Sequence, residues 1–259
     1  SAVGNRKAFT SYIEKNFNKF NLSPKKIFFY EHHLCHATPS YYLSPFNGDK
    51  ALALTIDGQG DGFFSKLFLF NGPADYQLIG QSTADFVDKG VFLSIGRIYE
   101  NFTRAMDLRP NSDEGKVEAL AAYGKADKDL LQQLKRATHV DKNDLSINFD
   151  IVKIMPFSNI DWLKAQRSKV GDENFCASVQ TFLEDTIVTY LNYAYEKYPI
   201  SNLCLSGGVA ANIIMSLNIY ERTPFKNIYV LPPMADDGLA IGSAILTAID
   251  LGKDVAWLK

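Results

Sequence analysis

Ala51-Leu52-Ala53-Leu54-Thr55-Ile56-Asp57, then Gly58-Gln59-Gly60-Asp61-Gly62, then Phe63-Phe64-Ser65-Lys66-Leu67-Phe68-Leu69-Phe70 read as a strand, a glycine-rich turn and a second strand. The first run is apolar almost throughout, as expected of a strand buried on both faces, and ends on a carboxylate. Asn71-Gly72-Pro73 punctuates the passage to a third strand-like run, Tyr76–Ser82. A three-stranded meander therefore begins at residue 51.

Downstream the period changes. Phe92 to Met106 and Glu114 to Tyr123 have helical patterning, the second closed by Gly124. Residues 125–170 are mixed and polar and read as a variable insertion of unassigned structure. Asp172 to Lys197 is the longest helix, with Phe175, Val179, Phe182, Leu183, Ile187, Tyr190 and Leu191 on one face and Pro199 beyond its end. Two strand–turn–helix units close the chain. The first is Asn202–Ser206, Gly207-Gly208, Val209–Glu221; the second is Asn227–Leu231, Pro232-Pro233, Asp236-Asp237, Leu239–Asp250. Upstream, Ala8 to Phe20 reads as an amphipathic helix and Lys26–Tyr30 as a short apolar strand leading into three histidines. A meander followed by alternating helices and strands predicts an α/β domain with a mixed sheet.

The composition fits one large domain or two small ones. The 259 residues are 46% hydrophobic and 22% charged, and a chain of this length can bury roughly three quarters of its unfolded surface without disulfides or structural metals. Lys+Arg 27 against Asp+Glu 29 leaves a net charge of −2, with no excess of positive charge to favour nucleic acid or an anionic membrane. Cys35, Cys176 and Cys204 are odd in number and form no CxxC, which points to a reducing compartment. The longest apolar candidate, around Leu239–Leu251, is interrupted by Gly242, Ser243, Thr247 and Asp250. The N-terminus lacks both a signal-peptide core and an initiator Met. A cytoplasmic chain excerpted from a longer protein is the expectation.

Five places carry chemistry-bearing residues. His32 and His36 are four apart; on a helix they share a face while His33 points about 100° away. Such a pair suits one divalent ion or an oxyanion, or is core or surface without function, and as a metal site it needs a carboxylate or water as well. Asp57 either reaches into a cleft beyond a strand's carboxyl end or bonds its own turn. Ser206-Gly207-Gly208 lies between a strand and a helix start, where glycines let backbone N–H groups approach an anion, although such turns also serve the backbone alone. Asp236-Asp237-Gly238 offers two carboxylates where capping needs one, and Asp113-Glu114-Gly115-Lys116 opens a helix in the same manner, with Asp113 as its cap. There is no GxxxxGK[ST], GxGxxG or GxSxG. Cys35 beside His36 makes no nucleophile pair, because adjacent helical residues point apart.

Read in order, His32-His33-Leu34-Cys35-His36-Ala37, Ile56–Gly62, Glu114–Gly124, Leu205-Ser206-Gly207-Gly208-Val209-Ala210-Ala211-Asn212 and Pro233–Gly242 closely resemble the O-carbamoyltransferases of the nodulation-protein-U type, which include antibiotic-tailoring enzymes. More distantly the series resembles the universal tRNA threonylcarbamoyl-transfer enzyme. The resemblance runs from about residue 30 to 250. It implies an actin/Hsp70-like ATPase fold with ribonuclease-H-like lobes and an incomplete first lobe: residues 1–50 the end of that lobe with the histidine motif, residues 51–259 the second lobe. It implies His32, His36, Asp57 and Asp236 as metal ligands, the first three also catalytic, with Fe²⁺ the usual ion and Zn²⁺ or Mn²⁺ as alternatives. Asp57, Gly58, Gly60, Asp61, Gly62, Ser206, Gly207, Gly208 and Asn212 would bracket the nucleotide, ATP or carbamoyl-adenylate, with Glu114 and Lys116 on the adenosine side. The implied reaction moves a carbamoyl group from carbamoyl-adenylate, made from carbamoyl phosphate and ATP by a separate, C-terminal activating domain, to a hydroxyl of a small-molecule or sugar acceptor. A homodimer is among the assemblies the resemblance allows. An ATPase or small-molecule kinase of the same superfold, a non-catalytic nucleotide-binding module and an unrelated metal hydrolase are the competing readings; the histidine pair argues against the kinase.

Overall fold

A computed structural model describes residues 2–87, 91–255 and 257–258. The elements are α1 (Ala2–Asn18), α2 (His32–Tyr42), β1 (Ala51–Gly60), β2 (Phe63–Gly72), β3 (Asp75–Thr83), β4 (Asp85–Val87), β5 (Val91–Leu93), α3 (Ile95–Ala105) and α4 (Glu114–Ala121). They continue with α5 (Lys128–Arg136), β6 (Thr138–Asp141), β7 (Ser146–Phe149), α6 (Ile151–Ile154), α7 (Ile160–Val170) and α8 (Asp172–Lys197). The chain closes with β8 (Asn202–Ser206), α9 (Ile213–Arg222), β9 (Asn227–Val230) and α10 (Leu239–Asp250).

The described chain forms two compact units, one up to Tyr30 and one from Glu31 onward. In the first, α1 carries Phe9, Tyr12 and Phe17 on exposed positions, and the Phe9 ring lies 6.2 Å from that of Phe29. Lys26–Tyr30 has strand composition but joins none of the sheets, so the predicted strand is not formed; a strand exists only through a neighbour's hydrogen bonds.

The second unit is built on a five-stranded sheet of order β3-β2-β1-β8-β9. β1 pairs antiparallel with β2, and β2 with β3, while β8 runs parallel to both β1 and β9. The sheet is mixed, as predicted. Side chains alternate along β1: Leu52, Leu54 and Ile56 enter one core with residues of α3, α8 and α9, and Ala51 and Ala53 enter the other with residues of α2 and α10. The predicted 92–106 helix starts at Ile95, where Ser94 caps it by accepting the Arg97 N–H at 3.0 Å; Val91–Leu93 pairs with β4 instead. Residues 208–211 form a 3-10 turn, so α9 begins at Ile213, with Asn212 as its cap. The insertion resolves into α5, the β6–β7 hairpin, α6 and α7, with Leu134, Leu145, Ile147 and Leu163 in the main core. Among the described residues no helix is long and apolar enough to cross a membrane.

Candidate functional site

Three neighbouring parallel strands deliver three residues to one place. The β1–β8 pairing ends at Thr55 and Ser206, and that of β8 with β9 at Leu205 and Val230. Asp57, Gly208 and Asp236 follow these carboxyl ends, where open α/β sheets bind ligands. The pleat fixes the side of Asp57: it shares parity with Ala51, Ala53 and Thr55, on the face that packs α2.

Helix α2 brings the histidines to that carboxylate. Glu31 caps it by accepting the Leu34 N–H at 2.7 Å, and Asp61 accepts the His32 N–H at 2.9 Å. Ser206 Oγ donates to the His36 carbonyl at 3.0 Å, tying the helix to β8. His32 Nε2 then lies 3.1 Å and His36 Nε2 3.2 Å from Asp57 Oδ2, and Asp236 Oδ1 lies 3.7 Å and 3.4 Å from the same nitrogens. One atom from each of these four residues lies within 4.8 Å of the others. Donors bound at ~2.1 Å around one ion stand about 3.0–3.4 Å apart when adjacent, so a small side-chain adjustment, chiefly of the exposed Asp236, closes this set on a single first-row divalent cation. Asp236 is 71% exposed while His36 is fully buried, which leaves one side of the set open.

Charge follows from that arrangement. Burial pushes the Asp57 carboxyl upward, but hydrogen bonds from His32, His36 and the Gly58 N–H outweigh it and hold the group well below the usual carboxylate range. Burial lowers His32, yet Asp57 first, then Asp236 and Asp61, leave it above its ordinary value. His33 points elsewhere, as its spacing requires: Nε2 donates to the Phe63 carbonyl at 3.1 Å, and Nδ1 is 2.8 Å from Thr55 Oγ1. Burial pushes it down to about 4. The Cys35 thiol, pushed up by burial to about 11, is no nucleophile.

A cleft of about 640 Å³ opens from this cluster, a size suited to a small-molecule ligand. Of the sequence-predicted residues, Asp57, Gly58, Glu114, Gly208, Asn212 and Asp236 line it. The others lie elsewhere for identifiable reasons. Gly60 makes room for the His32 ring, from which a Cβ would stand 2.0 Å. Asp61 caps α2, and Gly62 supplies a φ of +88° in open space. Gly207 has a φ of +89°, and a Cβ there would lie 2.2 Å from the Ile56 carbonyl, so a backbone contact requires glycine. Ser206 holds α2. Lys116 is exposed and pairs with Asp113 at 2.9 Å. Asp113 does not cap α4; its carboxylate accepts the Arg109 N–H at 2.9 Å in the preceding turn. Asp237 stands outside the four-residue set.

Sequence reading missed Gly96, Arg97, Tyr99 and Glu100 of α3 and Glu118 of α4, all in the cleft wall. Glu100 is buried and pairs with Arg97 and, at 2.5 Å, with Arg104; Glu118 accepts the Ile214 N–H at 2.7 Å. Charged residues spaced three and four apart on an otherwise apolar helix were the available signal.

A five-stranded mixed sheet flanked by helices, with a cleft at the carboxyl ends of its parallel strands, fits the actin/Hsp70-like α/β fold. The structure of HypF in its phosphate- and nucleotide-bound form shares this fold with a TM-score of 0.58 at 15% identity, covering 87% of this chain and 43% of that one. The chain belongs to the Carbamoyltransferase N-terminus family, which matches residues 6–245. It is 48% identical over 241 residues to an uncharacterized protein of Methanocaldococcus jannaschii, covering 91% of this chain and 39% of that protein. It is 29% identical to the nodulation protein NolNO of Sinorhizobium fredii (90% and 33%) and 27% identical to the tRNA N6-adenosine threonylcarbamoyltransferase of Streptococcus thermophilus (78% and 55%). The chain spans 36–41% of the length of the first three relatives it matches.

Proposed function

We propose that this chain forms the transfer site of an O-carbamoyltransferase, moving a carbamoyl group from carbamoyl-adenylate to a hydroxyl of a small-molecule or sugar acceptor. The observation that carries the reading is the convergence of His32, His36, Asp57 and Asp236 at one end of a cleft otherwise rich in carboxylates. Glu100 is neutralised by Arg97 and Arg104, but Glu114 and Glu118 join Asp57 and Asp236 in lining the cleft, so a phosphate-bearing ligand calls for a cation beside the histidines. His32, His36, Asp57 and Asp236 would hold a divalent ion, which would supply Lewis-acid stabilisation of a phosphoryl oxygen and lower the pKa of an acceptor hydroxyl. Iron, zinc and manganese all suit the donor set. Mg²⁺, which prefers oxygen ligands, does not call for two imidazoles, and this disfavours a kinase of the same superfold.

The chain's own residues do the rest. Asp57, Gly208, Glu114 and Asn212 all line the cleft, and in this reading Glu114 serves the adenosine side. In the transfer the acceptor oxygen bonds to the carbamoyl carbon, the bond from that carbon to the phosphate oxygen breaks, and AMP leaves with the electron pair. Asp236, with its carboxylate open to solvent, accepts the hydroxyl proton. An activating domain that makes the adenylate from carbamoyl phosphate and ATP is the implied partner.

The test is elemental analysis of the purified full-length protein alongside AMP release from ATP and carbamoyl phosphate with a polyol acceptor. His36→Ala and Asp236→Ala are expected to lose the metal and at least a hundredfold in transfer while melting as the parent does. Unchanged metal occupancy in both variants overturns the ligand assignment; a metal-loaded parent that releases no AMP overturns the reaction.

A further inference from the structure

The end of β1 leaves its ladder just where the cleft begins. β1 and β2 pair without a break from Ala51 and Phe70 to Ile56 and Ser65, and pairing resumes only at Gly60 and Phe63. Asp57, Gly58 and Gln59 therefore stand opposite a single residue of β2, Phe64, as a β-bulge. In a regular strand consecutive residues face opposite sides of the sheet; a bulge suspends that alternation and re-aims side chains. All three bulged residues line the cleft. They do so at its histidine end, since Asp57 Oδ2 meets both His32 and His36, and Gly60, the next residue, leaves room for the His32 ring.

Of the three, Gln59 alone has an uncommitted polar side chain. The Asp57 carboxylate is occupied by the two histidines and the Gly58 N–H, and Gly58 has no side chain. The Gln59 amide has no hydrogen-bond partner among the described residues, although the residue is partly buried. Other polar groups of the cleft wall are taken up by the protein itself: the Tyr99 hydroxyl and the Asn212 amide by Gln180, and the Glu118 carboxylate by the Ile214 N–H. A primary amide offers an N–H donor and a C=O acceptor side by side, and finds both complements at once in a second primary amide. A carbamoyl group is such a partner. An acetyl group lacks the N–H, and an N-substituted carbamoyl group in its trans form turns its remaining N–H away from the C=O.

We propose that Gln59 is a specificity-determining residue that recognises the carbamoyl group itself, its Nε2 donating to the carbamoyl oxygen and its Oε1 accepting from the carbamoyl NH₂. The proposal rests on the reading of the cleft as a carbamoyl-adenylate site and names the part of that ligand held beside the histidines. It makes the site selective for the unsubstituted carbamoyl group over N-substituted carbamoyl groups and over acyl groups of the same size.

Calorimetry on the full-length, metal-loaded protein tests this with AMP and two non-hydrolysable adenylate mimics, carbamoyl-sulfamoyl adenosine and acetyl-sulfamoyl adenosine, which differ only by an NH₂ against a CH₃. The parent is expected to prefer the carbamoyl mimic about tenfold, the effect of one hydrogen bond. Gln59→Leu keeps the volume and removes the amide, and is expected to erase that preference while AMP affinity, metal content and melting temperature stay as in the parent. Any second nucleotide site in the full-length protein is unaltered by the variant, so the change in the ratio of the two affinities reports this cleft. A ratio that is the same in the parent and Gln59→Leu overturns the proposal and leaves the nucleotide cleft standing. Equal weakening of AMP and both mimics also overturns it, since Gln59 would then shape the cleft without reading the carbamoyl group. Should Gln59→Leu melt below the parent, Gln59→Ala is read by the same criteria. A parent protein that binds neither AMP nor the mimics removes the nucleotide reading and this one with it.

Discussion

Gly60 and Gly58 lie two residues apart in the last stretch of β1 and serve different purposes. A Cβ on Gly60 would overlap the His32 ring at 2.0 Å; that ring meets Asp57 Oδ2, and the His32 backbone N–H is fixed by Asp61. A Cβ on Gly58 would meet nothing within 4 Å. Gly60→Ala is therefore expected to displace His32 and weaken metal binding at least tenfold, whereas Gly58→Ala keeps the metal; competition against a chelator reads both. Equal metal affinity in the two variants would remove His32 from the ligand set. The histidine spacing and the position of Asp57 at a strand's end were legible in the sequence because helix and strand periods alone determine them. That Gly60 serves the histidine, and Gly207 the β1 backbone, was not legible, since a glycine records nothing about which neighbour needs the space.

At the scale of elements, the site depends on how closely α10 approaches α2. A Cβ on Gly242 of α10 would stand 1.9 Å from the Cys35 carbonyl, a backbone atom on the helix that carries both histidines. Gly242→Ala is expected to destabilise the fold by about 1–3 kcal/mol through overpacking and to lower metal affinity as α2 shifts. Gly115→Ala, in α4 with open space around its Cβ, is expected to raise stability by about 0.5 kcal/mol. Chemical denaturation of both proteins checks the contrast, and a parent-like midpoint for Gly242→Ala would mean that the two helices part without cost. Most of these elements could be read in advance. Ala51–Asp57, Phe63–Phe70, Asn202–Ser206 and Asp172–Lys197 each carry a pattern that one period explains. Lys26–Tyr30 carried the pattern and not the pairing, and pairing is not a local property. The β6–β7 hairpin escaped notice because its four-residue strands are too short to show a period.

For the whole molecule, two adjacent histidines pull stability in opposite directions with pH. His33 is buried between Thr55 and the Phe63 carbonyl and titrates at about 4 in the fold against 6.5 when exposed. Between those values the unfolded chain binds a proton that the native state excludes. Its contribution is thus full above pH 6.5 and is lost as pH falls toward 4, at no more than about 1.4 kcal/mol per pH unit. His32, raised above 6.5, has the reverse sign: its contribution is full below 6.5 and is lost as pH rises through its folded value. Asp57, held low, stays ionised across the whole window and sustains the His32 interaction. The metal-free protein is therefore expected to be most stable near pH 6.5, with denaturation midpoints declining on both sides. His33→Gln can still donate to the Phe63 carbonyl but cannot titrate, so it should flatten the acid limb and leave the alkaline limb in place. Saturating metal selects the neutral imidazole of His32 and should abolish the alkaline limb instead. An acid limb that survives His33→Gln would transfer that loss to the carboxylates and show that the buried imidazole is accommodated in either charge state.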